Sequence, residues 1–404
     1  MRSHTRALAI VASVALAAGC NEPAATPEAT VTDQQETISA HRTHDAGATA
    51  SWTELAISLT ERTPVNVARL YAYLAMAQYQ AAEAAEDENR EQKHGRGCFK
   101  RHYRARLAVS AAIGGASAAI LTSFFPANAD EIAAALAAQG AAVPPGKADD
   151  FEEAAAMGGD IAAEVLVYAA GDRVGLADPG TPPIGDGYWK WSGGPIARGN
   201  YRARPFFLAS DSQYRPAPPP AFGSPAYLTA LGEVRQISDT RTADQLAIAQ
   251  FWNVEQSPSR DTPWNRKAVE LIRRERVGDG KAARIMFTMN AAVFDALVGC
   301  FDAKYHYWFI RPPQADPLIT LPIGLPPHPS YPSAHSCVSG AHAGALKAFF
   351  PRDASDLDAM ALESSLSRLY GGIHYRFDME AGLALGNSAA RKVLRSNLNK
   401  VNGQ

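Results

Sequence analysis

The stretch AARIMFTMNAAV, residues 282–293, indicates that this chain is built from α-helices. Its main apolar side chains recur at helical spacing, at Ala282, Ile285, Met286, Met289 and Val293. That spacing places them on one face of an α-helix, whereas a half-buried strand would alternate apolar and polar residues. The stretch therefore predicts a helix with a buried face.

Further helical patterns lie on both sides of this stretch. Residues 63–64, Thr-Pro, suit the start of a helix, and residues 67–74 continue it with an i, i+3, i+4, i+7 apolar stripe. Residues 242–245, Thr-Ala-Asp-Gln, have the pattern of a capping box. Residues 107–125 are apolar enough to suggest a membrane span, but their alanine, glycine and serine content favours a core helix.

Two segments interrupt the helical pattern. Residues 83–106 are rich in charge and predict a solvated loop between helices. Residues 178–225 are rich in proline, glycine and aromatic residues and predict a long irregular connection, either a pocket wall or a packed surface crossing. Because no internal repeat or series of alternating strands is evident, we expect an all-α helical bundle with residues 51–404 as one domain.

The composition is that of a globular protein without a general affinity for polyanions. The chain has 404 residues, 47% of them hydrophobic and 20% charged, which is enough to bury a large core. Its formal net charge of -2 gives no basis for attraction to nucleic acid or to an anionic membrane surface. Any cationic binding site must therefore be local.

The N-terminus has the pattern of an export signal. Arg2 and Arg6 precede an apolar stretch at residues 7–16, and small residues then lead to Cys20. The pattern resembles a bacterial lipoprotein signal, in which the cysteine is lipidated and becomes the mature N-terminus. We expect residues 1–20 to act as the signal and residues 21–50 to form a flexible tether. The protein is then exported as a periplasmic or cell-envelope lipoprotein or, alternatively, secreted.

The remaining cysteines are Cys98, Cys300 and Cys337. In an oxidising compartment two of them can pair while the third stays free, and the sequence does not choose the pair. No Cys-x-x-Cys pattern is present, so a structural zinc site is not expected.

Three segments near the C-terminus carry residue types that make chemical sense together. They are Lys304-x6-Arg311-Pro312, Pro332-Ser333-Ala334-His335 and Ser367-Arg368-x5-His374-x3-Asp378. One lysine and two arginines supply fixed positive charges, and guanidinium groups bind the oxygens of a phosphate-like group in a bidentate manner. The Ser333 hydroxyl and the Ala334 amide, at the predicted start of a helix that reaches Phe350, add neutral donors. Together these residues predict a binding pocket for an oxyanion.

Two histidines add reactivity to this pocket. One of His335 and His374 can attack or coordinate the central atom, while the other exchanges a proton on the far side. Asp378 follows His374 by one helical turn, a spacing that brings the carboxylate to the imidazole and fixes its tautomer. His342 shares a helix face with His335, which indicates either a further metal ligand or, more simply, a core residue. Taken singly, Lys304 and Arg311 are also typical of surface charges and His335 of a packing residue.

The three segments resemble the signature of the superfamily that joins vanadium-dependent haloperoxidases, type 2 phosphatidic acid phosphatases and bacterial acid phosphatases. That signature reads K-x6-RP, PSGH and SR-x5-H-x3-D, and this chain has alanine in place of glycine at position 334. Residues 302–307, 328–331 and 370–378 resemble the soluble bacterial haloperoxidase-like branch. The resemblance extends from about residue 52 to the C-terminus and implies a helical catalytic domain that binds vanadate or phosphate.

The resemblance also implies a role for each site residue. His374 would ligate vanadium, and His335 would handle the proton of hydrogen peroxide. The vanadate oxygens would be held by Lys304, Arg311, Ser333, Ala334 and Arg368. His328 stands where bromide-type members have histidine, which favours bromide or iodide over chloride.

Three functions stay open at this point. In a haloperoxidase the partners are hydrogen peroxide, halide and an organic acceptor, with vanadate as cofactor. In an acid phosphatase, His374 attacks the phosphorus of a phosphomonoester to form a phosphohistidine, and His335 protonates the leaving alcohol. The third function is a tethered lipoprotein that binds an oxyanion without turnover. In each case we expect no nucleic-acid partner, and contact with a membrane only through the lipid anchor.

Overall fold

The computed structural model describes residues 47–91, 98–253, 262–396 and 398. The predicted signal, Cys20 and residues 21–46 of the predicted tether lie outside the described residues, as does the side chain of Cys98. Within the described ranges the chain is helical, and the only β pairing there is an isolated antiparallel bridge between Tyr188 and Phe309. The prediction of an all-α fold is confirmed.

Thirteen α-helices follow one another along the described ranges. They are α1 (Ala48–Arg62), α2 (Val67–Glu91), α3 (Cys98–Phe124), α4 (Ala129–Ala141), α5 (Ala148–Ala170), α6 (Pro225–Thr240), α7 (Ala243–Phe251), α8 (Thr262–Arg274), α9 (Asp279–Tyr307), α10 (Pro312–Ala315), α11 (Ala334–Phe349), α12 (Ala354–Tyr370) and α13 (Arg376–Leu394). Single 3-10 turns at Pro126–Asn128 and Pro351–Asp353 precede α4 and α12.

Helix α9 forms the centre of the fold. The apolar stripe from Ala282 to Val293 is buried on it, and α2, α11 and α13 pack around it. Because the helix is enclosed by its neighbours, it is apolar around most of its circumference rather than on one face. It ends where Trp308 adopts the left-handed conformation, with φ 49°, so the helix stops between Lys304 and Arg311.

Among the described residues, two helices are long and apolar enough to cross a membrane by length and composition, at Ala105–Phe124 and Asp279–Tyr307. The apolar window of the second is entirely buried inside the protein, and 61% of the window of the first is buried. In α3, Gly115 allows the close approach of α5, since a Cβ there would lie 1.9 Å from the carbonyl oxygen of Ala155. Both helices are therefore packed against other helices of the fold.

The start of the folded region differs from the predicted boundaries. Helix α1 begins at Ala48, inside the stretch predicted as a tether, because the Thr49 amide donates to Oδ1 of Asp279 at 3.1 Å. Helix α2 begins at Val67 rather than at residues 63–64, so the predicted start was wrong. The side chain of Asn66 caps α2 by accepting from the Arg69 amide at 3.0 Å.

The charged run at residues 83–106 was wrongly predicted to be a loop for most of its length. Helix α2 continues to Glu91 and α3 begins at Cys98, while residues 92–97 lie outside the described residues. Alanine and glutamate are strong helix formers, and charged side chains such as Asp87 and Glu88 face solvent from a helix as readily as from a loop. A charged composition alone therefore did not identify the secondary structure here.

The irregular connection predicted at residues 178–225 is confirmed, since no helix lies between α5 and α6. It runs beside the chain that leads to Arg311. The Trp189 amide donates to the carbonyl of Trp308 at 2.6 Å, and the Ile310 amide donates to the carbonyl of Gly187 at 2.9 Å. The part of this segment around Gly187–Trp189 is therefore packed against the chain between α9 and α10, as both predicted interpretations, a pocket wall and a packed surface crossing, require.

Two of the cysteines lie in the core. Cys300 on α9 and Cys337 on α11 are free thiols with no exposed surface. Neither belongs to a disulfide, and the side chain of Cys98 lies outside the described residues.

Candidate active site

The packing of three helices brings the separated C-terminal segments together. Lys304 lies in the last turn of α9, Ser333 caps α11, and Asp378 lies in the first turn of α13. Helices α11 and α13 approach closely at Gly386, where a Cβ would lie 2.1 Å from the carbonyl oxygen of Cys337. The ends of these helices therefore converge, although their residues are far apart in sequence.

His374 is held in place by Asp378. Nδ1 of the imidazole lies 2.8 Å from Oδ2 of the carboxylate, and both side chains are buried. An ionised carboxylate only accepts hydrogen bonds, so Nδ1 carries the proton and donates it to Asp378. The same Oδ2 accepts from the Tyr375 amide at 3.2 Å. This places Asp378 as the residue that sets the tautomer of His374.

The other ring nitrogen of His374, Nε2, faces Arg311. Nη1 of Arg311 lies 3.4 Å from it. A guanidinium group only donates hydrogen bonds, so Nε2 presents its lone pair to the pocket. An unprotonated Nε2 is what coordination of a metal centre or attack on phosphorus requires.

The pKa shifts of the pair agree with this assignment. Burial, together with the positive charges of Arg311 and Lys304, holds the pKa of His374 well below its usual range. Burial also raises the pKa of Asp378 to about 6, against the opposing effect of a hydrogen bond from Ser330. At neutral pH the pair therefore consists of a neutral imidazole and a carboxylate.

Arg311 is fixed by several further hydrogen bonds. Nε donates to the carbonyl of His328 at 2.8 Å, and Nη1 donates to the carbonyl of Ile373 at 2.8 Å. Nη2 lies 3.1 Å from Nδ1 of His328. Nδ1 of His328 also lies 3.1 Å from the carbonyl oxygen of Pro329, so it stands between a donor, the guanidinium, and an acceptor, the carbonyl. The ring of Phe301 meets that of His328 edge-on, with centroids 5.5 Å apart.

Lys304 lies beneath the loop that precedes α11. Its ammonium group donates to the carbonyl oxygens of Pro329, Ser330 and Pro332 at 2.9, 2.8 and 2.6 Å. These three bonds use its three protons. Burial lowers the pKa of Lys304 to about 8. Lys304 therefore supplies charge and holds the loop, which differs from the direct contact with an oxyanion that the resemblance implies.

Arg368 and His335 are both tied to the end of α7. Nη2 of Arg368 donates to the carbonyl of Ala249 at 2.9 Å, and Nε2 of His335 lies 2.9 Å from the carbonyl oxygen of Trp252. A carbonyl only accepts, so Nε2 of His335 carries a proton, and Nδ1 is the ring nitrogen that can gain or lose one. Arg368 is buried, whereas His335 is half-buried.

The N-terminus of α11 contributes neutral donors. Ser333 caps the helix by accepting from the Ser336 amide at 3.4 Å, and its own amide donates to the carbonyl of Asp378 at 2.9 Å. Ala334 is the first residue of the helix, where amides have no acceptor within the helix itself and the helix dipole favours an anion. Ala334 is buried and lines a small cavity together with His335.

The site holds more buried positive charge than negative charge. Lys304, Arg311 and Arg368 are at most 1% exposed, and Asp378 is the carboxylate that accompanies them. The other buried carboxylates of the described residues are engaged elsewhere: Asp172 with Arg69, Asp302 with Arg215, Asp353 with Arg274, and Asp295 with backbone amides. Burying an ion without a counterion costs of the order of several kcal/mol. These residues therefore fit a small polyanion of the vanadate or phosphate type.

Some contributions to the site escaped the sequence analysis. Ser330, whose hydroxyl bonds to Asp378, lies in a stretch quoted for its resemblance but was given no role. The carbonyls of Ala249 and Trp252 orient Arg368 and His335. The capping box at Thr242 does start α7, as predicted, but a main-chain carbonyl has no side-chain signal in a sequence.

His342 does not join the site. Its ring stacks on Trp264, with centroids 5.2 Å apart and an interplanar angle of 3°, and its Nδ1 lies 3.0 Å from the carbonyl oxygen of Val338. Burial lowers the pKa of His342 to about 3. The simpler interpretation of His342 as a core residue is therefore confirmed.

Comparisons with known proteins add to this geometry. The family model described as the PAP2 superfamily matches residues 282–401. The structure is similar to that of a bacterial vanadium-dependent iodoperoxidase, with a TM-score of 0.66 and 23% sequence identity, covering 86% of this chain and 94% of that chain. Comparison with curated protein sequences gave no match.

A bacterial vanadium-dependent chloroperoxidase is similar in two structures. Its apo form has a TM-score of 0.64 and 14% identity, covering 84% of this chain and 95% of that chain. Its holo form has a TM-score of 0.61 and 14% identity, covering 89% of this chain and 94% of that chain.

The family match covers the part of the chain in which the site lies. Residues 282–401 include every position from Lys304 to Asp378 that contributes a charged or imidazole group to the pocket. The similarity to haloperoxidase structures, by contrast, extends over most of the helical fold. The PAP2 superfamily model therefore matches the part of the chain that carries the site, residues 282–401, and the helical fold is similar to that of vanadium-dependent haloperoxidases.

Proposed function

We propose that this protein is a vanadium-dependent haloperoxidase, which oxidises a halide with hydrogen peroxide. The observation that carries the proposal is the unprotonated Nε2 of His374, backed by Asp378 and set among three buried cations. The extent of the fold's likeness to haloperoxidases supports it. The overall reaction consumes halide, hydrogen peroxide and a proton, and it releases hypohalous acid and water.

Vanadate is the cofactor that we propose for this pocket. His374 would ligate vanadium. The vanadate oxygens would be held by Arg311, Arg368, Ser333 and the amide of Ala334, and Lys304 would supply positive charge from beneath the loop that precedes α11. When bound, vanadate supplies a Lewis acid that makes peroxide electrophilic without changing its own oxidation state. Arg311 and Arg368 are already oriented by the carbonyls of Ile373 and Ala249, so little reorganisation is needed to bind the anion.

His335 is the residue that we assign to proton exchange. Its Nε2 proton is committed to the carbonyl of Trp252, so Nδ1 is the atom that accepts a proton from incoming hydrogen peroxide and later returns it. His335 is half-buried, whereas His374 is buried and neutral. The two imidazoles therefore divide the roles of proton carrier and ligand.

We propose bromide or iodide, rather than chloride, as the preferred halide. His328 is 3% exposed, and it lies between the guanidinium of Arg311 and the edge of the Phe301 ring. A large halide loses less hydration energy than chloride when it enters such a partly apolar, positively charged environment. His328 is therefore our candidate for the halide pocket.

An acid phosphatase would use the same atoms, and the match of the PAP2 superfamily model to residues 282–401 is the observation that favours it. In that reaction Nε2 of His374 attacks phosphorus and His335 protonates the leaving alcohol. The static positions of these groups are equally suited to either chemistry, so turnover must distinguish them.

The test uses the purified protein without residues 1–19. One sample is incubated with orthovanadate and assayed for halogenation of a phenol indicator in the presence of hydrogen peroxide and bromide or iodide. A parallel sample without vanadate receives an aryl phosphate. We expect vanadate-dependent halogenation with little phosphate hydrolysis.

Two other outcomes would overturn the proposal. Hydrolysis of the aryl phosphate that vanadate inhibits, without halogenation, would make the protein a phosphatase. Vanadate binding with neither turnover would make it a non-catalytic oxyanion-binding protein.

A further inference from the structure

We propose that Ser330 is a positioning residue whose hydroxyl fixes the His374–Asp378 pair. The proposal rests on the proposed function insofar as that pair serves an oxyanion cofactor. Ser330 has no exposed surface, and it lies in the loop between α10 and α11. It is outside the three segments that supply the charged and imidazole groups of the site.

The hydroxyl of Ser330 contacts both members of the pair. It donates to Oδ2 of Asp378 at 2.5 Å, and its oxygen lies 3.4 Å from Nδ1 of His374. Oδ2 thus accepts from Ser330, His374 and the Tyr375 amide together. The second oxygen of the same carboxylate, Oδ1, is buried and has no hydrogen-bond partner within the described part of the chain.

This arrangement gives the hydroxyl two effects. Asp378 is held through one oxygen only, so each donor to Oδ2 restrains rotation of the carboxylate. Because the Ser330 proton goes to Asp378, the hydroxyl oxygen turns a lone pair towards Nδ1 of His374 and favours a proton there. Both effects keep Nε2 of His374 unprotonated and directed at Arg311.

The main chain of Ser330 has a separate role, which allows the hydroxyl to be tested alone. Its carbonyl accepts from the ammonium of Lys304 at 2.8 Å, and its amide donates to the carbonyl of Phe309 at 2.9 Å. Ser330→Ala keeps both contacts and removes only the hydroxyl. The substitution therefore isolates the contact with Asp378.

The first experiment is a double-mutant cycle on the dissociation constant for orthovanadate. It compares the wild type, Ser330→Ala, Asp378→Ala and the double variant, with thermal melts to verify folding. We expect Ser330→Ala to weaken binding by about 10- to 100-fold, the usual cost of losing a group that orients a metal ligand. In the Asp378→Ala background we expect the same change to cost less than about twofold, because Ser330 acts through Asp378.

A matched control is Ser117→Ala. Ser117 is a fully buried serine on α3 that accepts one hydrogen bond, from Nε2 of Gln78 at 3.0 Å. Its substitution should leave vanadate affinity unchanged. Equal losses from Ser330→Ala in both backgrounds, or no loss in the wild-type background, would overturn the proposal.

The second experiment needs no vanadate. Histidine nitrogen NMR of the protein with 15N-labelled histidine reports which ring nitrogen of His374 is protonated, once its signal is identified by its loss in His374→Ala. We expect protonation at Nδ1 in the wild type and a larger share of the Nε2-protonated tautomer in Ser330→Ala. An unchanged His374 spectrum in folded Ser330→Ala rejects the positioning role. If the wild type binds no vanadate but Ser330→Ala still shows this tautomer shift relative to the wild type, only the haloperoxidase proposal is rejected.

Discussion

At the scale of single residues, His374 must combine a ring that is fixed in orientation with an Nε2 atom that is unprotonated. Asp378 fixes the ring at Nδ1, and burial, together with the cations around Nε2, keeps the imidazole neutral by lowering its pKa. The neighbouring buried histidine, His342, is also neutral at physiological pH, yet it stacks on Trp264 and has no carboxylate partner among the described residues. Burial alone therefore does not make a histidine a ligand.

This contrast gives a matched pair of substitutions. His374→Ala should abolish both vanadate binding and turnover, because it removes the imidazole of the described site that bonds to Asp378 through Nδ1 and meets Arg311 through Nε2. His342→Ala should leave turnover largely intact and cost about 2–4 kcal/mol of stability, as expected for a large-to-small change in a core. Halogenation rates, vanadate titration and urea unfolding measure the two effects. Full turnover in His374→Ala would remove the central assignment.

Lys304 predicts a pH dependence of anion binding. Its pKa lies at about 8 because it is buried, so below pH 8 it is an ammonium ion that attracts the anion, and as the pH rises through 8 that charge is lost. Lys304→Met is of similar size and carries no charge at any pH. The ratio of the variant's dissociation constant for orthovanadate to that of the wild type should be about 10 to 100 at pH 6.5, from the Coulomb attraction between a buried ammonium group and the anion.

The same ratio should decrease above about pH 9, roughly a unit above the pKa at which Lys304 loses its charge, and the part that remains reflects the loop contacts that methionine cannot make. Taking the ratio cancels the ionisation of vanadate itself, since both proteins meet the same ligand. A ratio that stays constant between these pH values would show that the charge of Lys304 does not contribute to binding.

At the scale of elements, the irregular segment between α5 and α6 is held by one carboxylate. Asp295 on α9 has no exposed surface and accepts from the amides of Phe206, Phe207 and Leu208 at 2.7, 2.8 and 3.1 Å. A chain without helix or strand hydrogen bonds needs such an acceptor, because buried amides without partners are costly. The part of the irregular segment at Phe206–Leu208 therefore depends on a side chain of the central helix.

Asp295→Asn tests this anchor. One oxygen becomes an amide group that cannot accept, so at least one buried backbone amide loses its partner, at a cost of about 1–3 kcal/mol. Asp239→Asn is the control, because Asp239 is half-exposed and pairs with Arg235 one turn away on α6, an arrangement that contributes about 0.5 kcal/mol or less. Urea unfolding measures both variants. Equal stability of the two would show that Asp295 does not anchor the segment.

At the scale of the whole molecule, the N-terminal sequence predicts where the protein acts. Cys20 follows a charged start and an apolar stretch, so we predict a lipid-anchored envelope protein. In a bacterial host that processes lipoproteins, Cys20→Ser should move the protein from the membrane fraction to the soluble one, while Cys98→Ala should not. Fractionation and mass spectrometry of the N-terminus measure this. A wild type without lipid would favour ordinary secretion.

The helical fold class and the cationic and imidazole groups of the site could be predicted from the sequence. The stripe from Ala282 to Val293 and the capping box at Thr242 depend on local periodicity and local hydrogen bonds, which are encoded within a few residues. The spacing from His374 to Asp378 is likewise a property of one helical turn. Composition was a poorer guide to the charged run at residues 83–106, because a loop and a helix expose charged side chains to solvent equally well. This run forms the end of α2 and the start of α3.

The hydrogen-bond partners that orient the site residues, and so the role of each residue, depend on the tertiary structure. The ammonium group of Lys304 donates its three protons to carbonyls of the loop before α11. Arg368 and His335 are oriented by carbonyls at the end of α7. Main-chain acceptors are present at every residue, so a sequence cannot show which of them a side chain will reach. The contact between Ser330 and Asp378 arises in the same way, because it depends on the packing of α13 against the chain before α11.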